Sequence, residues 1–426
     1  MSWIPSLSSL SPFRKLGGSF PYQPEDIYDH EKQLYHPRLS EATKRLLQDI
    51  FEGIDVRRIV DYHTHIIGKD EAKTGCRVDS RMLKWYHPWK YMKTWIFLFA
   101  AGVQDLENAD ERYVDRLMRL VKHSAPVKRE DGMSFHGRNC ILAFDQVYSA
   151  KGEPDEEHTT LYVPNKYVYE LSRKYPNEFI ATCSVHPFRP DALEELDRCR
   201  KQGIRIIKWL PNSMNIRPAD DDPRYDQFYD KVKELDMYLL IHVGDEHSVS
   251  SRFLDNSLGN PLFLRKPLNK GVKVIAAHCA TEGSSVDFET DTSGHIKAEN
   301  FDLFLRLMHD PKYQQNLFAD ISATISFLRV KYLPRLLAEK EIHSRLVFGS
   351  DYPVPAINVI VHTKKLLKYN LITPEQKTCL DELYEFNPLL FDFACKRCLS
   401  HEGHKFPISL FMENPNLPVS EDSSSL

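Results

Sequence analysis

The stretch IVDYHTH (59–65) ends on two histidines that follow a short run of apolar and β-branched residues. Such a run is typical of a strand that is buried on both faces. Amphipathic stretches separate most of the later runs, and eight strands alternating with helices predict an α/β fold, a (β/α)8 TIM barrel. No G-x-G-x-x-G follows the first run, which argues against a dinucleotide-binding fold. The seven further runs are NCILAFDQVY (139–148), FIATCSVHP (179–187), IRIIKWLP (204–211), YLLIHVGDE (238–246), VKVIAAHCA (272–280), NLFADISAT (316–324) and RLVFGSDYP (345–353).

The barrel accounts for most of the chain but not for all of it. Residues 1–58 are expected to form an arm with one helix, since Ser40 can cap a helical pattern that stops at Gly53. Residues 59–412 then form the barrel, with a long aromatic insert at about 70–137 after the first strand. The polar, Ser-rich residues 413–426 are expected to be a disordered tail.

The composition excludes several classes of protein. The chain has 56 Lys and Arg against 60 Asp and Glu, and this near balance argues against a nucleic-acid-binding protein. No uncharged apolar stretch reaches the roughly 18 residues that a membrane span needs. Eight cysteines scattered over 426 residues are typical of reduced thiols in a cytoplasmic protein. The expected partner is therefore a small-molecule substrate, not a nucleic acid or a membrane.

Polar side chains gather at the ends of the predicted strands. In a parallel barrel the C-terminal ends of the strands share one face, and active sites lie there. His63 and His65 are two residues apart, so both imidazoles are expected to face the barrel interior. About one H-x-H triplet is expected by chance in a chain with 18 histidines, so this pair alone decides nothing. The other polar residues at strand ends are His186, Lys208, His242, His278 and Asp351.

Each of these residues has an ordinary structural explanation when it is taken alone. A single histidine at a strand end is more often a hydrogen-bonded structural residue than a metal ligand, and Asp351 could simply cap a turn. Together, however, four histidines and one aspartate would converge near the barrel axis. Imidazole and carboxylate suit Zn²⁺, Mn²⁺ or Fe²⁺, and the absence of cysteine indicates a catalytic site rather than a structural one.

The chain resembles the amidohydrolase superfamily, and in particular its amidohydrolase-related branch of metal-dependent hydrolases and decarboxylases. The matching motifs occur in the family's order over roughly residues 59–395. This combination is specific for the superfamily but not for one reaction. The motifs are DYHTH (61–65), YVPNKYVYELSRKYPNEFIATCSVHP (162–187), IIKWLPNSMNIRPADDDPRYDQFYD (206–230), LLIHVGDE (239–246), VIAAHC (274–279), VFGSDYP (347–353) and FNPLLF (386–391).

The resemblance implies a divalent metal ion, with Zn²⁺ preferred and Mn²⁺ or Fe²⁺ as alternatives. His63 and His65 match the first-strand ligands, and His242 matches the fifth-strand ligand. Asp351 matches the eighth-strand residue that binds the metal and handles the proton of its water. His278 matches a residue that is a second-metal ligand in two-metal members and a catalytic acid/base in one-metal members.

Other residues are expected to bind substrate or a second metal. Lys208 is either carboxylated and bridges two metals or, as we prefer, is an ammonium that binds a substrate carboxylate beside one metal. His186, Arg217 and Trp89 are further candidates. The aromatic segment KWYHPWKYMKTWIFLF (84–99) is either a lid over the metal or ordinary packing.

The resemblance implies hydrolysis of an amide, ester or lactone in a small carboxylated or aromatic substrate. A non-oxidative decarboxylase of an aromatic or dienoic acid would use the same metal site. A third hypothesis is a non-catalytic ligand-binding barrel, which is disfavoured because each expected position is filled. Dimers are common among similar proteins, so a homodimer stays open.

Overall fold

The fold is built on eight short parallel strands. The computed structural model describes residues 28–29, 34–104, 106–124, 127–128, 134–135, 137–249, 254–290 and 294–419. The expected arm before residue 28 therefore lies outside the described residues. The barrel strands are β1 Val60–His65, β2 Arg138–Leu142, β3 Phe179–Ala181, β4 Ile206–Trp209, β5 Tyr238–Ile241, β6 Lys273–Ala276, β7 Leu317–Asp320 and β8 Leu346–Val347.

These strands close into a ring in chain order. β1, β2 and β3 form one parallel sheet, and β4 to β8 form a second. A parallel bridge between Cys183 and Ile207 joins the two sheets at β3 and β4. On the other side, Tyr62 N–H donates to Phe348 O over 2.9 Å, and Thr64 forms a parallel bridge with Tyr352. The predicted (β/α)8 barrel is confirmed, with single bridges at the two seams.

Thirteen α-helices lie within the described residues, and most of them cover the barrel between consecutive strands. Helices on the outside and packed side chains on the inside leave both faces of each strand buried, which explains the near-continuous apolar runs. The helices are α1 Glu41–Phe51, α2 Pro88–Ala100, α3 Ala109–Lys122, α4 Asn165–Lys174, α5 Ala192–Lys201, α6 Pro211–Met214, α7 Pro223–Glu234, α8 Arg265–Asn269, α9 Asn300–His309, α10 Leu333–Ala338, α11 Thr363–Lys368, α12 Pro374–Phe386 and α13 Pro388–Cys398.

Helix α1 packs against helix α13, and the last described residues pack against the barrel. Ser40 caps α1 through Thr43 N–H, as predicted, and the Phe51 ring stacks on Phe393 of α13 at 5.2 Å. Part of the segment expected to be a disordered tail, residues 413–419, is packed instead. Leu417 and Val419 are buried, and Tyr62 Oη donates to Leu417 O over 3.0 Å. Buried apolar side chains and hydrogen bonds such as Asn414 Nδ2–H to Ser344 O at 3.1 Å hold this segment on the barrel.

The insert after β1 contains α2 and α3. Trp95 and Phe99 on α2 are buried against each other with ring centroids 5.1 Å apart, so this part of the aromatic segment is packing. Trp85, Tyr86 and Trp89 at the start of the same segment are exposed. Among the described residues, no helix is long and apolar enough to cross a membrane.

Candidate metal centre

His63 and His65 leave β1 at the C-terminal end of the barrel. His63 is fully buried, and its Nδ1–H donates to Asp320 Oδ2 over 2.9 Å. This hydrogen bond fixes the tautomer, so that Nε2 carries the lone pair, as in many carboxylate–histidine–metal arrangements. Burial lowers the pKa of His63 well below its usual value, so the imidazole stays neutral.

Asp351 follows β8 in a turn that aims its carboxylate at these histidines. Its φ of 63° lies in the left-handed region, which a non-glycine residue adopts only when its surroundings hold it there. Asp61 stabilises this turn, because its Oδ1 accepts a hydrogen bond from the N–H of Ser350, the residue before Asp351, at 2.9 Å. Asp351 Oδ1 then lies 2.8 Å from His65 Nε2 and 3.5 Å from His63 Nε2.

His278 enters the same cluster from the end of β6. Its φ of 57° is also left-handed, and its backbone N–H donates to Asp320 Oδ1 over 2.9 Å. Nδ1 lies 2.7 Å from Ser322 Oγ, and the ring stacks on His63 at 4.9 Å between centroids. One nitrogen from each of His63 and His278 and one oxygen of Asp351 all lie within 4.8 Å of one another.

Lys208 reaches the cluster from β4. Its side chain is buried and its Nζ donates to His63 Nε2 over 3.0 Å. Burial lowers the pKa of Lys208 to about 8, so this ammonium loses its proton more readily than that of an exposed lysine. A neutral amine can react with CO₂, and an ammonium can hold a carboxylate. Both alternatives for Lys208 therefore remain compatible with its position.

His242 lies beside the cluster but its Nε2 points elsewhere. That nitrogen is 3.4 Å from Asp245 O and 3.5 Å from a carboxylate oxygen of Glu246. Its ring centroid is 5.1 Å from that of His278, and burial lowers its pKa to about 4. The compact group is thus His63, His278 and Asp351, whereas the resemblance implies His63, His65, His242 and Asp351.

The side chains present fit a divalent transition metal. Neutral imidazoles and a carboxylate, with no thiolate, are the donors that Zn²⁺ and Mn²⁺ accept in catalytic sites. His65 Nδ1 is buried and has no hydrogen-bond partner among the described residues. Only the other ring nitrogen, Nε2, has such a contact there, with Asp351. All eight cysteines are buried free thiols, and none belongs to the compact group.

Two predicted residues lie outside the site. His186 is fully buried, and both ring nitrogens contact backbone groups: Nε2 is 3.2 Å from Met214 O, and Nδ1 accepts from Phe188 N–H at 3.0 Å. Arg217 is exposed and, like His186, does not line the cavity that contains the candidate metal ligands. Trp89 does line this cavity.

Some residues that hold or surround the cluster are not predicted from the sequence. Asp320 touches both His63 and the His278 backbone, and a charged residue inside an apolar strand was a signal that could have found it. Arg329 is buried in the cavity wall, where its Nη2 pairs with Glu282 at 2.8 Å. Its Nη1 has no hydrogen-bond partner in the described part of the chain. A lone arginine in a loop gives no such signal.

Comparison with known proteins gives one family match and several similar structures. The family model described as amidohydrolase matches residues 140–359. An uncharacterised TIM-barrel protein from Bordetella bronchiseptica is similar, with 14% identity, coverage of 79% of this chain and 99% of that chain, and a TM-score of 0.44. A 5-carboxyvanillate decarboxylase from Novosphingobium aromaticivorans, solved with manganese, has 11% identity, 75% and 93% coverage, and a TM-score of 0.41. A search of curated proteins gave no significant match.

The fold and the site define a barrel with candidate metal ligands at the C-terminal ends of the strands. The family match covers more than half of the chain. The chain belongs to the amidohydrolase family and is a metal-dependent enzyme of that superfamily.

Proposed function

We propose that the protein is a metal-dependent hydrolase that cleaves an amide, ester or lactone. The observation that carries the proposal is the group of His63, His278 and Asp351 within 4.8 Å at the base of an open cavity. A divalent ion in such a site lowers the pKa of water towards about 7 and polarises a carbonyl oxygen. We infer Zn²⁺ as the native ion, with Mn²⁺ or Fe²⁺ as alternatives.

Asp351 is the proposed proton acceptor. It is buried apart from a small accessible part of its side chain, and its carboxylate lies against the two histidines of β1. A carboxylate in this place can take the proton of the attacking water and hold the water in line with the carbonyl carbon. Such a positioned base typically contributes about 10²–10⁴-fold to the rate.

We propose His278 either as a further ligand to the ion or as the group that delivers a proton to the leaving group. Its Nδ1 is occupied by Ser322 Oγ, which leaves Nε2 for one of these two roles. The left-handed turn and the hydrogen bond to Asp320 hold the ring in one place. Lys208 would bind a substrate carboxylate or act as a bridging ligand after carboxylation.

A decarboxylase is the second candidate, because the cavity holds two buried cations. Lys208 lies against His63, and Arg329 has an unpaired Nη1 within the described residues. Either cation can hold the carboxylate of an aromatic or dienoic acid. Asp351 and His278 would then deliver a proton to the carbon that loses CO₂, and no water would attack a carbonyl.

The test loads the purified protein with Zn²⁺ and screens amides, esters, lactones and aromatic acids. Product release in ¹⁸O-labelled water and CO₂ evolution are measured together. Hydrolysis predicts one ¹⁸O atom in the acid product, and Asp351→Asn is expected to lower kcat by about 10²-fold or more. Asp302→Asn, on the exposed side of α9, is the control and should retain the activity. CO₂ release without hydrolysis would establish the decarboxylase instead.

A further inference from the structure

Exposed apolar side chains are concentrated at the mouth of the cavity that the candidate metal ligands line. Four of them line this cavity: Trp89 is 79% exposed, Phe327 41%, Leu328 43% and Val359 36%. Trp85 and Tyr86, also exposed, lie just before Trp89 in the chain. Soluble proteins rarely keep large apolar groups together in water unless something binds there. We call Trp89, Phe327, Leu328 and Val359 the apolar rim.

Backbone hydrogen bonds and a helix hold the residues of the apolar rim in place. The Phe327 N–H donates to Ile360 O over 2.9 Å, and Ser326 and Val361 form an antiparallel bridge. The segments that carry Phe327, Leu328 and Val359 are therefore tied together beside the cavity. Trp89 lies in the first turn of α2, whose buried Trp95 and Phe99 anchor the helix.

The cavity wall between the rim and the metal ligands is mainly apolar. The cavity holds about 530 Å³, which is within the range of small-molecule sites. Its apolar lining includes Met82, Leu83, Ile96, Phe97, Leu161 and Val354.

Four polar side chains of the wall, Lys93, His247, Glu282 and Arg329, form a contiguous strip. Lys93 Nζ donates to His247 O, His247 Nε2 pairs with Glu282 at 3.0 Å, and Glu282 pairs with Arg329 at 2.8 Å. These four residues form hydrogen bonds and ion pairs with one another, so their polar groups are kept on one side of the cavity. The polar end of the cavity is the metal cluster, and the apolar end is the rim.

We propose that the substrate is an amphipathic molecule with a polar group at the metal centre and an extended apolar body that reaches the apolar rim. This inference rests on the proposed function for the polar end and adds the class of the remainder of the substrate. A small molecule is favoured over a protein partner because the rim continues into a cavity of small-molecule size that ends on the metal ligands. Each methylene buried along this wall should increase affinity about fourfold, since it removes apolar surface from water.

The probe is a series of alkyl hydroxamates, whose head group chelates metals. Acetohydroxamate, butanohydroxamate, hexanohydroxamate and octanohydroxamate are titrated by calorimetry into the Zn²⁺-loaded protein. A steady rise that makes octanohydroxamate at least about a hundredfold tighter than acetohydroxamate supports the proposal. A series that changes by less than about threefold in total would overturn it.

Matched variants locate the apolar body. Phe327→Asp is expected to weaken octanohydroxamate at least about tenfold and to leave acetohydroxamate unchanged, because a charge at the rim opposes only the longer chain. Phe288→Asp is the control, since Phe288 has a similar exposure of 38% but does not line the cavity. Equal effects of the two variants on octanohydroxamate would contradict the assignment. Thermal melts check that both variants are folded.

Removing the metal separates the two proposals. Acetohydroxamate that binds equally well with and without Zn²⁺ would contradict the proposed function. The dependence on chain length is read independently of that result: a slope that persists supports the apolar body, and a flat series refutes it.

Discussion

Replacing Asp320 by Asn changes one hydrogen bond at the metal centre and leaves the others in place. Oδ1 accepts from the backbone N–H groups of His278 at 2.9 Å and Ser322 at 3.0 Å and from the Ser322 hydroxyl. Among the described residues, Oδ2 accepts only from His63 Nδ1, at 2.9 Å. An amide that keeps its oxygen on the Oδ1 side places an NH₂ donor against His63.

The expected result is loss of metal affinity with little loss of stability. The NH₂ group requires Nδ1 of His63 to accept, which puts the proton on Nε2 and removes the lone pair meant for the metal. Loss of such a partner typically lowers metal affinity about 10–100-fold, or about 1.4–2.8 kcal/mol. Asp320→Ala, in contrast, leaves several buried donors unpaired at roughly 1–3 kcal/mol each and is expected to unfold much more easily.

The assay is Zn²⁺ competition against a chelator of known affinity, with urea unfolding of the metal-free proteins alongside. Asp145→Asn is the control, since it neutralises another buried carboxylate, which pairs with Arg189 and does not line the cavity. Wild-type Zn²⁺ affinity in a folded Asp320→Asn protein would refute the proposed role of the carboxylate in orienting His63.

Three further predictions follow from the structure. If Lys208 is an ammonium, reconstitution should give one metal per chain with or without bicarbonate; a second metal that requires bicarbonate would indicate carboxylation, and elemental analysis decides. Chelation of the metal should lower Tm, because an ion at 100 times its Kd adds about 2.7 kcal/mol to the folded state; an unchanged Tm would contradict a metal bound only by the folded protein. Leu417→Ala should lower the free energy of unfolding by about 2–5 kcal/mol in urea titration because the side chain is fully buried, whereas Glu402→Ala, in an exposed turn, should not.

Much of the fold could be predicted from the sequence because strands buried on both faces leave an unbroken apolar pattern. The polar residues at the ends of those strands then predicted one face of the barrel as the site. His63, Lys208, His278 and Asp351 do converge there, although they are up to 288 positions apart in the chain.

The rest depends on contacts between distant residues. The orientation of His278 comes from a left-handed turn held by Asp320, and the orientation of His242 comes from its neighbours Asp245 and Glu246. The ring of His186 is occupied by two backbone groups that no side-chain pattern reveals. Local periodicity carries none of this information, because it reports burial and not which atoms meet.

The central claim is that His63 helps to hold one divalent metal at this end of the barrel, and metal content per chain tests it most directly. Elemental analysis of the wild-type protein after reconstitution should give one Zn²⁺ per chain. His63→Ala should retain less than about a tenth of that amount at matched free Zn²⁺, since the neutral imidazole is a ligand. His186→Gln, a change at another buried histidine near a strand end, should retain the full amount. Full metal content in His63→Ala, or none in the wild-type protein, would contradict the account.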